Sequence, residues 1–166
     1  PDGCSSDLSL RCTGWRVAGA WALAGALQAM EALEELDAAY NPNVGASGVA
    51  AVLRVLPAGV RSLRLPMLAR AMNDGLDVAT VLSERRWTGL VCLDMSRSFC
   101  RAGLTAEVVQ RALQPLAPSL RTLLLMGNLR LGAGGCWRGL AASRPGMAEL
   151  RTLDVRGCML GDEATA

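Results

Sequence analysis

The sequence predicts an α/β solenoid in which a parallel sheet is covered on one side by helices. Three observations predict it: the pattern apolar-x-x-Leu-x-apolar recurs along the chain, it recurs about every 30 residues, and segments with helical periodicity follow it. Parallel strands lie about 4.8 Å apart, whereas packed helices need about 8–10 Å. Such a stack must therefore curve, with the strands on the concave side and the helices on the convex side.

The strand segments follow directly from the repeated pattern. The units begin near residues 5, 33, 60, 90, 120 and 150, so successive units are 28, 27, 30, 30 and 30 residues apart. Alternation of apolar and polar residues within each unit is the period of a strand with one buried face. The residues predicted to point inward are Leu8 and Leu10, Leu36 and Ala38, Leu63 and Leu65, Leu93 and Met95, Leu123 and Leu125, and Leu153 and Val155.

Helical spacing of apolar residues follows most of these strands. Thr105 is the predicted N-cap of the fourth unit's helix, and the fifth unit's helix should be short. The helical pattern of the third unit is marginal, because Arg85-Arg86-Trp87 ends its run of apolar residues. An irregular loop is expected at 69–74 in the same unit. The supporting apolar residues are Val49, Leu53 and Leu56 in the second unit, and Trp21, Leu23, Leu27 and Met30 in the first, where they predict a buried helix.

The segments LEELDAAYNPNVGASG, SLRTLLLMGNLRLGAGGCWRGL and ELRTLDVRGCMLGDE resemble leucine-rich repeats of the ribonuclease-inhibitor type. Units of that type have a strand, an Asn or Cys shortly after it, a Gly-marked turn and a convex helix. The matching positions here are Asn41, Asn128 and Cys158. The resemblance implies a horseshoe of about five and a half repeats that spans residues 1–166 as one domain. Because neither end carries a polar capping unit, we expect the chain to be part of a longer array or to have its ends covered by a partner.

Composition excludes several functions. All 17 basic residues are arginine, against 15 acidic residues, and the net charge of +2 gives no reason to expect a nucleic-acid or membrane surface. The absence of histidine excludes an imidazole base and His-ligated metals, and the absence of lysine excludes a Schiff base and a phosphate-loop lysine. Six cysteines without a C-x-x-C pair predict reduced thiols. We therefore expect no enzyme activity, no cofactor and no metal.

The expected location is intracellular and cytoplasmic. No Asn begins an N-x-Ser/Thr acceptor site, and the longest apolar stretch, Val17–Leu27, is too short for a membrane span. Because the chain begins at Pro1, we expect a fragment from which a targeting signal could be missing.

The residues that flank the inward leucines are predicted to form a protein-binding concave face. Leu124 and Met126 make an apolar pair inside a charged rim, which resembles a small interface hot spot. The simpler explanation is that each Asp makes local hydrogen bonds and that one exposed Leu–Met pair is ordinary. The predicted contact residues are Asp37, Arg64, Asp94, Leu124, Met126, Asp154 and Arg156.

These features favour a non-enzymatic scaffold that binds protein partners, as a subunit or part of a larger assembly. Two alternatives are a GTPase-activating protein that acts through a loop arginine and the ligand-sensing repeat region of an innate-immune-type receptor. The glycines at 132–135 suggest phosphate binding only weakly, because Trp137 stands where the third glycine of G-x-G-x-x-G should be. The loop arginines considered for the first alternative are Arg97, Arg101, Arg130 and Arg156.

Overall fold

A computed structural model describes residues 6–65, 74–98, 105–129, 131 and 136–160. Within these residues, six short strands alternate with five helices, in the order that the repeat predicts. The strands are β1 Asp7–Ser9, β2 Glu35–Asp37, β3 Ser62–Arg64, β4 Cys92–Asp94, β5 Thr122–Leu124 and β6 Thr152–Asp154. The helices are α1 Val17–Leu27, α2 Gly45–Val55, α3 Asp74–Glu84, α4 Ala106–Leu113 and α5 Cys136–Ser143, with a 3-10 turn at Arg144–Gly146 after α5.

The six strands form one parallel sheet in sequence order. Each strand pairs with the next so that their central residues lie side by side, and no strand is skipped. The central residues are Leu8, Leu36, Leu63, Leu93, Leu123 and Leu153. The predicted strands, their parallel arrangement and their register are therefore confirmed.

A single apolar cluster joins the strand leucines to the helices. Leu63, Leu93 and Leu123 have no exposed surface, and they belong to the same cluster as buried residues of α2, α3 and α4. Each helix packs against the next one along the chain. Since neighbouring side chains on a strand point to opposite faces, the residues that flank the leucines lie on the side away from the helices.

The helices agree with most of the predicted details. Thr105 caps α4, because its hydroxyl oxygen accepts a hydrogen bond from the backbone N–H of Val108 at 3.4 Å. Helix α5 has only eight residues, as its poor apolar pattern predicts. Helix α3 is longer than expected for a marginal unit, since it has eleven residues and buries Val78 and Leu82. Most of the irregular loop expected at 69–74 lies outside the described residues.

Two expectations of burial are wrong, both at the ends of the stack. Trp21 is 57% exposed, because α1 packs only against α2 and turns Ala20 and Leu27 toward it instead. Leu153 is 40% exposed, because among the described strands β6 pairs with β5 alone. In the second to fifth units, where each strand has two neighbours, the inward strand residues are all buried.

Side chains at the bends after β2, β5 and β6 join neighbouring units. The side-chain amide of Asn41 donates to the carbonyls of Leu10, at 2.7 Å, and Ala38, at 2.9 Å. Asn128 makes the equivalent pair of bonds to Met95 and Leu125, at 3.0 and 2.8 Å. Each amide therefore bonds one carbonyl of its own unit and one of the preceding unit, which satisfies backbone groups that the bend buries. Cys158 does the same with a thiol, which donates to the carbonyl of Leu125 at 3.0 Å.

No helix in the described ranges has the length and apolar character needed to cross a membrane.

Candidate functional site

The strand face consists of the side chains that flank the central leucines, together with Met126 and Arg156 just beyond β5 and β6. All seven predicted contact residues lie on it. Pairing of the strands places the third residue of each strand beside that of the next, so these residues form a column across the sheet. The column reads Ser9, Asp37, Arg64, Asp94, Leu124 and Asp154.

The three aspartates of this column share one local geometry. Each accepts a hydrogen bond from the backbone N–H two residues further on: Asp37 from Ala39 at 3.0 Å, Asp94 from Ser96 at 2.9 Å and Asp154 from Arg156 at 3.1 Å. This bond holds one carboxylate oxygen at the end of the strand and fixes the direction of the other. The aspartates therefore have the local structural role that sequence reasoning gave as the simpler explanation.

Asp37 is also the centre of an ion cluster. Its second oxygen accepts from Arg11 at 3.4 Å and from Arg64 at 3.2 Å. The hydrogen bond to Asp37 raises the pKa of the Arg64 guanidinium above its ordinary value. Arg11 lies over the ring of Tyr40, 4.5 Å from its centroid. Both guanidinium groups are nearly half-exposed, so the cluster orders the surface more than it stabilises the fold.

Asp154 carries its own arginine. Arg156 donates through Nη2 at 2.6 Å and through Nε at 2.9 Å, a two-pronged contact with the two carboxylate oxygens. These hydrogen bonds lower the pKa of Asp154 and raise the pKa of Arg156. Thus four of the seven predicted contact residues are paired within the chain, Asp37 with Arg64 and Asp154 with Arg156.

Asp94 differs from both of its equivalents. It makes no ion pair with any residue in the described parts of the chain, and its neighbour in the column toward the C-terminus is apolar. That neighbour, Leu124, and the nearby Met126 are half-buried rather than fully exposed, because they pack among the surrounding strand-face residues. The predicted apolar pair, Leu124 and Met126, is therefore present, but its exposed area is smaller than that of the fully exposed pair that the sequence suggests.

A left-handed backbone position lies three residues after the end of a strand in five of the units. Cys12, Tyr40 and Arg97 adopt it with φ of 56°, 59° and 58°, and the equivalent residues of the last two units are Gly127 and Gly157. A non-glycine residue in this conformation costs about 1–2 kcal/mol. The units around Tyr40 and Arg97 thus tolerate a strain that glycine would remove.

Tyr40 and Arg97 line a cleft beyond the carboxyl ends of the middle strands. Its other described lining residues include Asp94 and Met126, so the cleft joins the apolar pair to the carboxylate. Tyr40 is 47% exposed. Sequence reasoning missed Tyr40, although aligning the units shows it at the position that is Gly127 and Gly157 later in the chain.

Comparison with protein-family models, with curated proteins and with solved structures gives no match to this chain.

The strand face and the chemistry of its residues are therefore the basis for a functional proposal.

The loop arginines are arranged in different ways. Arg156 is held by Asp154, and the side chain of Arg97 lies against Gly127. Arg101, Arg130 and the glycines at 132–135 lie outside the described residues. The GTPase-activating alternative therefore stays a prediction.

The basic–aromatic cluster after α3, Arg85 to Trp87, has a structural role. Arg85 donates to the carbonyls of Leu53, Arg54 and Leu56 at the end of α2, and it lies 5.1 Å from the ring centroid of Trp87. Burial lowers the pKa of this guanidinium. Trp87 packs against the core and donates through Nε1 to the carbonyl of Leu82 at 3.0 Å. Arg85 of this cluster therefore caps α2 from the following unit.

Among the described residues, no group of three acidic or thiol side chains is placed to hold a metal ion. Of the described cysteines, Cys12 is exposed, Cys92 is half-buried, and Cys136 and Cys158 are buried. Burial raises the pKa of the Cys92 and Cys136 thiols.

Proposed function

We propose that the chain is a non-enzymatic protein-binding scaffold that contacts its partner through the strand face. The observation that carries this proposal is the apolar pair Leu124 and Met126, which lies on an open sheet face and is bordered by Asp94 and the Asp154–Arg156 pair. Apolar side chains ringed by polar groups are the usual centre of a protein interface.

The ordering of this surface supports the proposal. Asp37, Asp94 and Asp154 are fixed by backbone hydrogen bonds, and Arg11, Arg64 and Arg156 are held by carboxylates. Side chains that are already ordered lose little conformational entropy when a partner binds. A rigid face of this kind suits a scaffold or subunit of a protein assembly.

We further propose that the fold is a leucine-rich-repeat horseshoe of the ribonuclease-inhibitor type. Its support is the unit itself: a three-residue strand, an Asn or Cys that bonds the preceding unit, and a helix. Because helices need more lateral room than strands, a continued stack would curve around the strand face. The same family contains the two alternatives given above, and fold alone does not separate them.

We assign the chain to an intracellular, cytoplasmic assembly. The support is that Cys12, which is exposed, and Cys92 are free thiols. Free thiols persist in reducing compartments, whereas secreted proteins usually pair them.

The experiment uses a photoreactive amino acid at one of two positions in the chain. Position 122 lies on the strand face, and position 111 is exposed on α4. Irradiation in native extract followed by mass spectrometry should give crosslinks from position 122 to a defined protein. Crosslinks confined to position 111 would refute binding through the strand face.

The protein found in this way is then purified and titrated against two leucine variants. Leu124→Glu places a charge in the apolar pair and should weaken binding by about tenfold or more. Leu129→Glu is the matched control, because Leu129 is 48% exposed and lies in the turn after the strand face. Equal binding by the two variants would count against Leu124 as a contact residue.

A further inference from the structure

Three aspartates occupy the same position in their units, and among the described residues two of them form an ion pair with an arginine. Asp37 accepts from Arg11 and Arg64, and Asp154 accepts from Arg156. Asp94 has the same backbone hydrogen bond as both but no ion pair among the described residues. Asp94 is thus a carboxylate whose direction is fixed by a hydrogen bond and which makes no ion pair within the described part of the chain.

The residues around Asp94 explain why no arginine in the described ranges forms an ion pair with it. Arg64 lies beside it in the column and interacts with its charge, but the guanidinium of Arg64 hydrogen-bonds to Asp37. The side chain of Arg97 lies over Gly127, further along the stack. On the other side Asp94 borders Leu124, which offers no donor. The open carboxylate oxygen therefore stands between two ordered arginines and an apolar pair.

Resting on the proposed function, we propose that Asp94 binds an arginine or lysine side chain of an extended segment of the protein partner. The basic group takes the place that Arg156 has on Asp154, where a guanidinium contacts both carboxylate oxygens. An apolar side chain of the same segment packs on Leu124 and Met126. The partner is therefore recognised by one basic and one apolar side chain that lie close together.

The occupant of this site is a basic segment for reasons of charge complementarity. An acidic segment would bring a second carboxylate against Asp94, which like-charge repulsion opposes. A purely apolar segment would cover the open carboxylate without supplying a donor, at a desolvation cost of about 1–3 kcal/mol. Tyr40 lines the same cleft, and its ring already contacts the guanidinium of Arg11. An aromatic ring at this place is a further group on which a basic side chain can pack.

The test selects ligands from a phage library of random linear peptides with the intact chain as bait. The most enriched peptide is synthesised, and its affinity is measured for the wild type, Asp94→Asn and Asp154→Asn. Asparagine keeps the oxygen that accepts the backbone N–H, so neither change removes the turn. Asp154→Asn is the matched control, since Asp154 is already paired with Arg156.

We expect the selected peptides to share a basic residue near an apolar one. Asp94→Asn should weaken binding about tenfold, and Asp154→Asn by less than about threefold. Asp94→Arg should abolish binding, and replacing the basic residue of the peptide by Glu should restore it. A failure of this charge exchange would overturn the proposal.

Two further outcomes would also overturn it and would separate it from the proposed function. Peptides that lose affinity for Leu124→Glu but not for Asp94→Asn would show a strand-face site with another specificity. Selection of no peptide, or of peptides insensitive to both changes, would refute the basic-segment site, and only the crosslinking experiment would then decide whether the strand face binds protein.

Discussion

The side chain of Arg97 occupies the space that a β-carbon on Gly127 would need. A β-carbon built on Gly127 would lie 2.9 Å from Cγ of Arg97 and 3.4 Å from its Nε. Both residues have a left-handed backbone, with φ of 58° and 73°. The arginine of one unit thus depends on the glycine of the next for its position on the surface.

Gly127→Ala should destabilise the fold by about 1–3 kcal/mol, because it adds backbone strain and a clash with Arg97. Gly14→Ala is the control for strain alone, since Gly14 has a φ of 69° and no atom within 4 Å of an added β-carbon. The free energy of unfolding, measured in urea, should fall further for Gly127→Ala than for Gly14→Ala. Adding Arg97→Ala should recover the difference between them. Equal losses in the two single variants would show that Arg97 does not lie over Gly127.

Arg85→Met should destabilise the fold by about 1.5–3 kcal/mol, because the carbonyls of Leu53, Arg54 and Leu56 lose their donor. Methionine keeps much of the apolar stem, so the loss reports the hydrogen bonds. Arg86→Met is the control, since Arg86 is exposed. Urea denaturation followed by circular dichroism measures both variants, and an unchanged midpoint for Arg85→Met would contradict the capping role.

Asn128→Ala should cost about 2–4 kcal/mol, because two buried carbonyls, those of Met95 and Leu125, would lose the side-chain donor. Asn43→Ala, at an exposed position in the turn before α2, should change stability by less than about 0.5 kcal/mol. Thermal denaturation of the two variants compares them directly. A loss as small for Asn128 as for Asn43 would mean that the amide does not join the units.

Asp154→Asn should reduce stability near pH 7 more than near pH 3. The hydrogen bonds from Arg156 lower the pKa of Asp154 in the folded state, so the folded protein binds this proton less tightly than the unfolded chain. The stabilisation is complete above the ordinary aspartate pKa of about 3.9 and is lost as pH falls through the lower folded value. Urea midpoints of the two proteins should therefore converge in acid. A gap that widens in acid would contradict this sign, and Asp77→Asn serves as the control for an exposed carboxylate on α3.

The sequence predicts the strands well because their signal is local and repeated. Each central leucine, from Leu8 to Leu153, is marked by alternation within its own unit and by spacing from the next. Burial in the first and last described units is harder to predict. Trp21 and Leu153 lie in apolar patterns like those of the inner units, but their exposure depends on which other units pack against them. A period alone does not say which unit lacks a neighbour.

The candidate site is only partly predictable for a different reason. Strand alternation places Asp37, Asp94 and Asp154 on one face, but it does not show which of them are paired with an arginine. That depends on the directions of flexible side chains such as Arg64 and Arg97, which the pattern does not contain. The left-handed backbone of Tyr40 is predictable from the sequence, since the later units have glycine at the equivalent position.

The most direct test of the parallel stack uses the native Cys92, which pairs in register with Thr122 of the next strand. Neighbouring strands hold paired α-carbons close enough for a disulfide, whereas residues two strands apart, about 10 Å, are too distant. Because burial raises the pKa of the Cys92 thiol, oxidation is carried out in alkaline buffer and followed by peptide mass spectrometry. Thr122→Cys should form a disulfide with Cys92, and Thr152→Cys should not. A disulfide to position 152, or none to position 122, would contradict the side-by-side parallel arrangement of the units.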